Sequence, residues 1–436
     1  MKTLICGDLL HCIDNPFYTD EAVEFIEDGA LLVEDGLIID KGKRETLLSK
    51  AGKDWHIEHH PNCTLTPGFV DTHIHFPQVD VVASWGTQLL DWLETYTFPA
   101  EAQFKDQAHA AEMAEFFLGQ LLANGTTTAL VFGSSHPNSV NALFEAAAAK
   151  HMRLIAGKVM MDRNAPESVL DTAESSYNDS KALIERWHGH DRLSYAVTPR
   201  FAPTSTDEQL AMAGKLMREH PDVYFQTHIS ENVDEIAWVK SLFPNCENYL
   251  DVYKQHGLLG PRSVFAHGIH LEDRELDDLK SHQCAISHCP CSNNFIGSGL
   301  FPLERIIKKG VKVSMGTDVG GGDSYSILRN LNESYKLQQL LNHNVSPSQL
   351  LYLATLGGAQ SLNLQNNIGN FQVGKEADIS VLDHNATTLI KRRVCGAATW
   401  QERWFAMSIL GDDRIIKGVY LLGQWIGTSN SDPRID

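Results

Sequence analysis

Positive charge is scarce in this 436-residue chain: 36 Lys and Arg stand against 55 Asp and Glu, a formal net charge of −19. Nucleic acid and anionic membrane surfaces are both bound through basic patches, so no nucleic acid and no membrane is expected as a partner. Long apolar runs are missing too. No stretch reaches the roughly 18 uninterrupted apolar residues of a membrane span, and Asp8 falls where a secretory signal needs its apolar core, so the expected location is cytoplasmic. The eight cysteines, at 6, 12, 63, 246, 284, 289, 291 and 395, lack the paired spacing of a disulfide framework. Even the nearest pair, Cys289-Pro-Cys291, is too close for the usual zinc spacing. There is no H-E-x-x-H, and the glycines of Asp318-Val-Gly-Gly-Gly-Asp323 lack the Lys-Ser/Thr of a phosphate loop, reading instead as room for backbone near a substrate. His56-Ile-Glu58 and His270-Leu-Glu272 satisfy H-x-E, but Pro290-Cys291 is followed by Ser-Asn-Asn, so the P-C-x-x-C of cytidine-type deaminases is absent. What remains, with 43% apolar and 21% charged residues, is an ordinary globular composition with a small molecule as the expected substrate.

Short β-like runs at 3–6, 29–36 and 37–40 are separated by Gly and Asp turns, the pattern of a small antiparallel sheet. The same texture returns at 379–383 and 419–425. Two such segments at opposite ends join most simply into one composite β-sandwich, from residues 1–64 and 368–436, with 65–367 inserted between them. That insert alternates strand-like stretches (69–75, 127–132, 153–160, 193–197, 223–228, 263–267, 284–288 and 311–318) with helical ones such as 108–123, 141–150, 207–219 and 303–309. Eight strands in this alternation predict an α/β fold, a TIM-like (β/α)8 barrel.

The C-terminal ends of barrel strands all face one mouth. His73 and His75, one residue apart in an extended segment, point to the same side and can converge. In a chain with 20 histidines such a pair arises by chance, and a solvated pair is the plain alternative. The tally of strand ends decides otherwise: His228, His267 and His288 close three more strands, and Asp318 closes the last. A lone buried histidine is usually a satisfied core residue, but five with an aspartate read as a metal site. Three imidazoles and a carboxylate suit zinc, with iron or manganese as alternatives, and leave a position for water. A bound ion would lower that water's pKa from near 16 towards ~7, which makes a hydrolase. Glu231, just past His228, is placed to shuttle protons; the alternative is an acid stabilised by a helix start. Strand four ends in Pro199-Arg200-Phe201 with no lysine to be carbamylated between two metals, so one ion per subunit is expected.

Asp71-Thr-His-Ile-His75, Thr227-His228-Ile-Ser-Glu231, Phe265-Ala-His267-Gly and Met315-Gly-Thr-Asp318 together resemble the amidohydrolase superfamily across nearly the whole chain. Within it, Pro77-Gln78 and the stretches 90–101, 157–162, 198–203 and 316–326 are similar to the guanine deaminase branch. The resemblance implies that His73, His75, His228 and Asp318 hold one zinc per subunit, Fe2+ being the alternative. His267 would hold the attacking hydroxide, Asp318 would accept the water's proton, and Glu231 would protonate ring N3 as hydroxide adds to C2 of guanine, giving xanthine and ammonia. Gln78, Arg200 and Phe201 would bind the base, with His228, Glu231 and Asp318 also touching it; for Phe201 alone, plain core packing is the other reading. His288 has no implied role. The implied partners are a small-molecule purine and a second copy of the chain, as a homodimer. Two alternatives stay open: a sister aminohydrolase acting on an oxidised purine, pterin or triazine, and a catalytically silent barrel used as a binding module. The second should have lost ligands, and this chain keeps them.

Overall fold

The computed structural model describes residues 2–85 and 92–427. Residues 90 and 91 of the 90–101 motif, and 428–436 of the last expected domain, lie outside them. The chain opens with β1 (Lys2–Cys12), β2 (Val23–Glu34), β3 (Leu37–Lys43) and β4 (His56–Pro67). The next strands are β5 (Phe69–His75), β6 (Thr126–Phe132), β7 (Arg153–Gly157), β8 (Val159–Met160), β9 (Leu193–Pro199), β10 (Tyr224–Ile229), β11 (Ser263–His267), β12 (Ala285–His288) and β13 (Lys312–Met315). It closes with β14 (Ile379–Asp383), β15 (Ile416–Leu421) and β16 (Gln424–Gly427).

The two chain ends build one sheet, in the order β16-β15-β14-β4-β1-β2-β3. It is mixed, not purely antiparallel, because β4 runs parallel to β1 and antiparallel to β14. This strand joins the two ends and was not among the expected runs: its first half, His-Ile-Glu-His-His-Pro-Asn, carries no apolar alternation, and only its second half is buried. Along β1 the side chains alternate between two cores, Ile5 packing with Leu31, Leu65 and Val381, and Leu4 and Cys6 with Ala30 and Leu47. The run expected at 419–425 breaks into the β15–β16 hairpin at Leu422 and Gly423, both with positive φ.

The insert forms a parallel barrel in the order β13-β12-β11-β10-β9-β7-β6-β5. Thr72 Oγ1 bridges the seam between β13 and β5, bonding Ser314 Oγ at 2.8 Å and the Met315 carbonyl at 3.0 Å. Barrel strands are covered on both faces, which is why β5 and β6 are buried at every position although both carry polar residues. The outer helices bury one stripe each: helix Gln107–Ala123 buries Ala110, Ala114, Phe117, Leu118 and Leu121, and Asp106 caps it by accepting from the His109 N–H at 2.8 Å. The expected strand at 153–160 is interrupted at Lys158, a fully buried lysine paired with Asp171, and β8 then pairs briefly with β9.

The sheet of the chain ends grips the barrel at the foot of its strands. Arg192, just before β9, pairs with Asp378, and Arg153, the first residue of β7, donates to Glu376 at 3.0 Å. These contacts sit at the opposite end from the strand termini that carry the polar cluster, which leaves the mouth free for chemistry.

Candidate metal centre and active site

One donor atom from each of His73, His75, His228 and Asp318 lies within 4.8 Å of all the others. His73 and His75 finish β5, His228 sits near the end of β10, and Asp318 follows β13 by three residues. Asp318 Oδ1 is 3.1 Å from His73 Nε2 and 3.2 Å from His75 Nε2. The Nε2 atoms of His75 and His228 face each other at 3.1 Å. The His228 Nδ1 is 2.6 Å from the Arg200 carbonyl, so its proton is directed there and Nε2 offers a lone pair.

These residues fit a divalent ion. Burial lowers the His73 pKa to about 4 and that of His228 well below its ordinary value, so both imidazoles are neutral, as ligands must be. Lone pairs aimed at one another in a dry site repel unless a cation lies between them. His73 Nε2 is buried without a hydrogen-bond partner, a cost that coordination removes. Burial opposes ionisation of Asp318, yet His73, His75 and His267 hold its carboxyl well below the usual range.

Asp71 organises the cluster from beneath. It is fully buried, accepts from the backbone N–H of His73 at 3.2 Å and of Thr317 at 3.1 Å, and so ties the end of β5 to the loop that carries Asp318. Burial pushes its pKa up to about 7, with the Thr317 hydroxyl and backbone N–H bonds working against the rise. Asp318 (φ 50), His267 (φ 69) and Ser230 (φ 47) all take left-handed backbone conformations at the mouth. For such residues this costs roughly 1–3 kcal/mol each, and the turns aim the side chains at the centre instead of continuing the strand direction.

His267, at the end of β11, places Nδ1 2.8 Å from Asn293 Oδ1 and leaves Nε2 3.5 Å from Glu231 Oε2 and 3.8 Å from Asp318 Oδ2. Burial lowers its pKa, but Glu231 and Asp318 outweigh burial and raise it. Glu231 accepts from Ser298 Oγ at 2.8 Å. Burial raises its pKa against the pull of His267. The helix start beyond it, Val233–Leu242, is capped by Asn232 together with Glu235, so Glu231 does not serve as its cap.

A pocket opens directly on this cluster, with Gln78, Arg200, Phe201, Trp92, Leu93 and Ile296 around His75, His228, Glu231, His267 and Asp318. Every residue that the resemblance assigns to metal or substrate is therefore gathered at one mouth, His73 lying just behind. Phe201 does both things that were open to it, lining the pocket while packing with Trp92, Phe98 and Trp238. Gly320, at φ +117, leaves space for Gln78: a Cβ there would lie 1.9 Å from Gln78 Oε1. Gly320 thus makes room for a side chain that lines the pocket.

His288 does not join the cluster. The preceding Ser287 turns its hydroxyl to Thr72 at 2.7 Å, so the alternation of the strand sends His288 the other way. It stacks on Phe301 at 4.2 Å, places Nε2 3.1 Å from Ser334 Oγ, and is held neutral by burial, its pKa lowered to about 3. Sequence reasoning assigned no role to Glu101, Asn293, Ser298 or Ile296. Glu101 falls inside the 90–101 stretch, which was its only signal.

The amidohydrolase family profile matches residues 64–426, and the chain belongs to that family. Within it the similarity is to guanine deaminases. The chain is 51% identical over 423 residues to guanine deaminase of Escherichia coli (strain K12), covering 97% of this chain and 96% of that protein. It superposes on the solved E. coli guanine deaminase with a TM-score of 0.95 at 50% identity, over 97% of this chain and 99% of the other. It also superposes on the C. acetobutylicum guanine deaminase with bound guanine in the active site, with a TM-score of 0.89 at 29% identity, over 98% and 100% of the two chains.

Proposed function

We propose that the protein hydrolyses guanine to xanthine and ammonia. The observation that carries this reading is the adjacency, at one pocket, of a four-donor metal cluster and the side chains of Gln78, Arg200 and Phe201. Amide and guanidinium groups can bond the polar edge of the base while the Phe201 ring covers its face.

His73, His75, His228 and Asp318 would hold one zinc ion, with Fe2+ as the alternative the same donors also suit; when bound, the ion makes water a nucleophile at neutral pH. His267 Nε2, fixed by Asn293, holds the attacking oxygen, and Asp318 takes the proton that oxygen sheds. Glu231 delivers a proton to ring N3 as the oxygen adds to C2. The C2–N bond then breaks as Glu231 passes the proton of the C2 hydroxyl to the amine, which leaves as ammonia; the proton held by Asp318 restores Glu231, and xanthine remains. Residues 65–367 carry this chemistry and the segments 1–64 and 368–436 act as its scaffold. On the family resemblance the enzyme works as a cytoplasmic homodimer.

Metal-loaded protein mixed with guanine should release ammonia and form xanthine, followed by ultraviolet absorbance; no turnover of guanine beside brisk turnover of an oxidised purine, a pterin or a triazine overturns the reading. Gly320→Ala should raise KM for guanine about tenfold or more by driving the Gln78 amide from its place, with a stability loss of roughly 1–3 kcal/mol from the strained backbone and unchanged metal content. Steady-state kinetics beside metal analysis checks it. An unaltered KM would remove Gln78 from base recognition.

A further inference from the structure

Glu101 has no part in the proposed reaction, yet it touches both polar side chains of the recognition wall. It is fully buried and 23 residues from Gln78 in sequence, whose Nε2 donates to Glu101 Oε1 at 2.9 Å. Arg200 Nη1 donates to Oε1 at 2.8 Å and to Oε2 at 2.9 Å. Among the described residues lining the pocket, Arg200 is the only arginine or lysine. Its guanidinium also lies 5.4 Å from the centre of the Phe98 ring, an apolar backing that leaves Glu101 as its charge partner.

We propose that Glu101 is a positioning residue that neutralises the recognition wall, so that the pocket selects neutral purine rings and lets an anionic one go. A buried guanidinium without a counter-charge attracts any anion strongly, because the surrounding dielectric is low. Paired with Glu101 it still offers N–H donors but no net charge. The carboxylate also accepts from the Gln78 amine, which fixes which end of that amide meets the base. The inference rests on the guanine reading, and there it has a consequence for turnover. Guanine enters neutral, whereas xanthine has a ring N–H acidic enough to ionise near neutral pH. An unpaired Arg200 would retain that anion; the paired one releases it.

Other titratable groups share the pocket: Glu231, Asp318, His75, His228 and His267 line it with Arg200. Burial lowers the His136 pKa, Lys158 and Lys105 lower it further and Glu101 opposes them, and Lys158 is itself paired with Asp171. All of these side chains persist when Glu101 alone is changed, so two proteins compared over the same pH range differ at that one position.

Glu101→Gln is the variant to use. With its amide oxygen in place of Oε1 it still accepts from both Gln78 and Arg200, while the charge and the second Arg200 bond, to Oε2, are lost. Xanthine and hypoxanthine, which lacks the 2-amine and is not a substrate, are titrated calorimetrically into the metal-loaded proteins from about pH 6 to about pH 8. Wild-type affinity for xanthine should stay level or fall as the ring ionises. In the variant it should rise, moving the preference for xanthine over hypoxanthine by about tenfold or more at the upper pH, and guanine turnover should become more product-inhibited. Wild-type affinity that climbs with ionisation, or an unchanged preference in the variant, overturns the proposal. If Glu101→Gln does not fold, the wild-type pH series decides alone. Because neither ligand needs to be deaminated, a protein that failed to turn over guanine would sink the functional reading while this measurement still gave its own answer.

Discussion

Glu231→Gln should retain its metal and lose about 10²–10⁴ of kcat, the usual worth of a positioned proton-transfer group. In barrier terms that is roughly 3–5 kcal/mol. The substitution is isosteric: the amide oxygen can still accept from Ser298, whose Oγ sits 2.8 Å from Glu231 Oε1, and the backbone stays pinned because the Glu231 N–H donates to Glu235 Oε2 at 2.9 Å. What disappears is the ability to carry a proton between the attacking oxygen, ring N3 and the leaving amine. The environment suits that task. Burial raises the Glu231 pKa while His267 restrains the rise, which brings the group closer to the pH at which it must both give and take a proton. KM should change less than kcat, since on the proposed reading Gln78, Arg200 and Phe201 share the recognition of the base with Glu231. Metal analysis beside kinetics separates the outcomes: a metal-depleted variant would recast Glu231 as a support for the ligands, and a rate near wild type would remove it from proton transfer.

The barrel was legible because physics writes it twice, in strands buried on both faces that become apolar runs and in the polar residues that end them at the mouth. His73, His75, His228 and Asp318 were legible because few side chains can serve a metal. Strand-end logic does not tell which face a side chain takes, and so it counts His288 with the others although Ser287 holds the side facing Thr72. It also treated Asp318 as a strand residue, whereas β13 stops at Met315 and a left-handed turn delivers the carboxylate. Glu101 was illegible as more than part of a motif, because nothing local says that a carboxylate 23 residues beyond Gln78 folds back to accept from it. β4 was missed for a related reason: its first half is held by ladder bonds and not by burial.

Stripping the metal with a chelator should leave less than about one part in a thousand of the loaded rate, because water without the ion is far too weak an acid to supply a nucleophile at neutral pH. Readdition of zinc should restore it. The same treatment should lower the thermal midpoint, since an ion that binds only the folded chain stabilises it by about 4 kcal/mol at a thousandfold excess over its dissociation constant. Two histidine variants make the assignment specific. His73→Ala removes a donor whose Nε2 has no other partner, so metal content and rate should fall together and the chelator should no longer shift the midpoint. His288→Ala removes an equally buried histidine at the end of another barrel strand, but one stacked on Phe301 and turned towards Ser334. It should lower stability by about 2–4 kcal/mol as a core truncation and leave metal stoichiometry intact. Loss of metal from both variants would mean that the ion responds to general loosening of the barrel. Loss from neither would place the ion elsewhere, and the four-donor centre would fall with it.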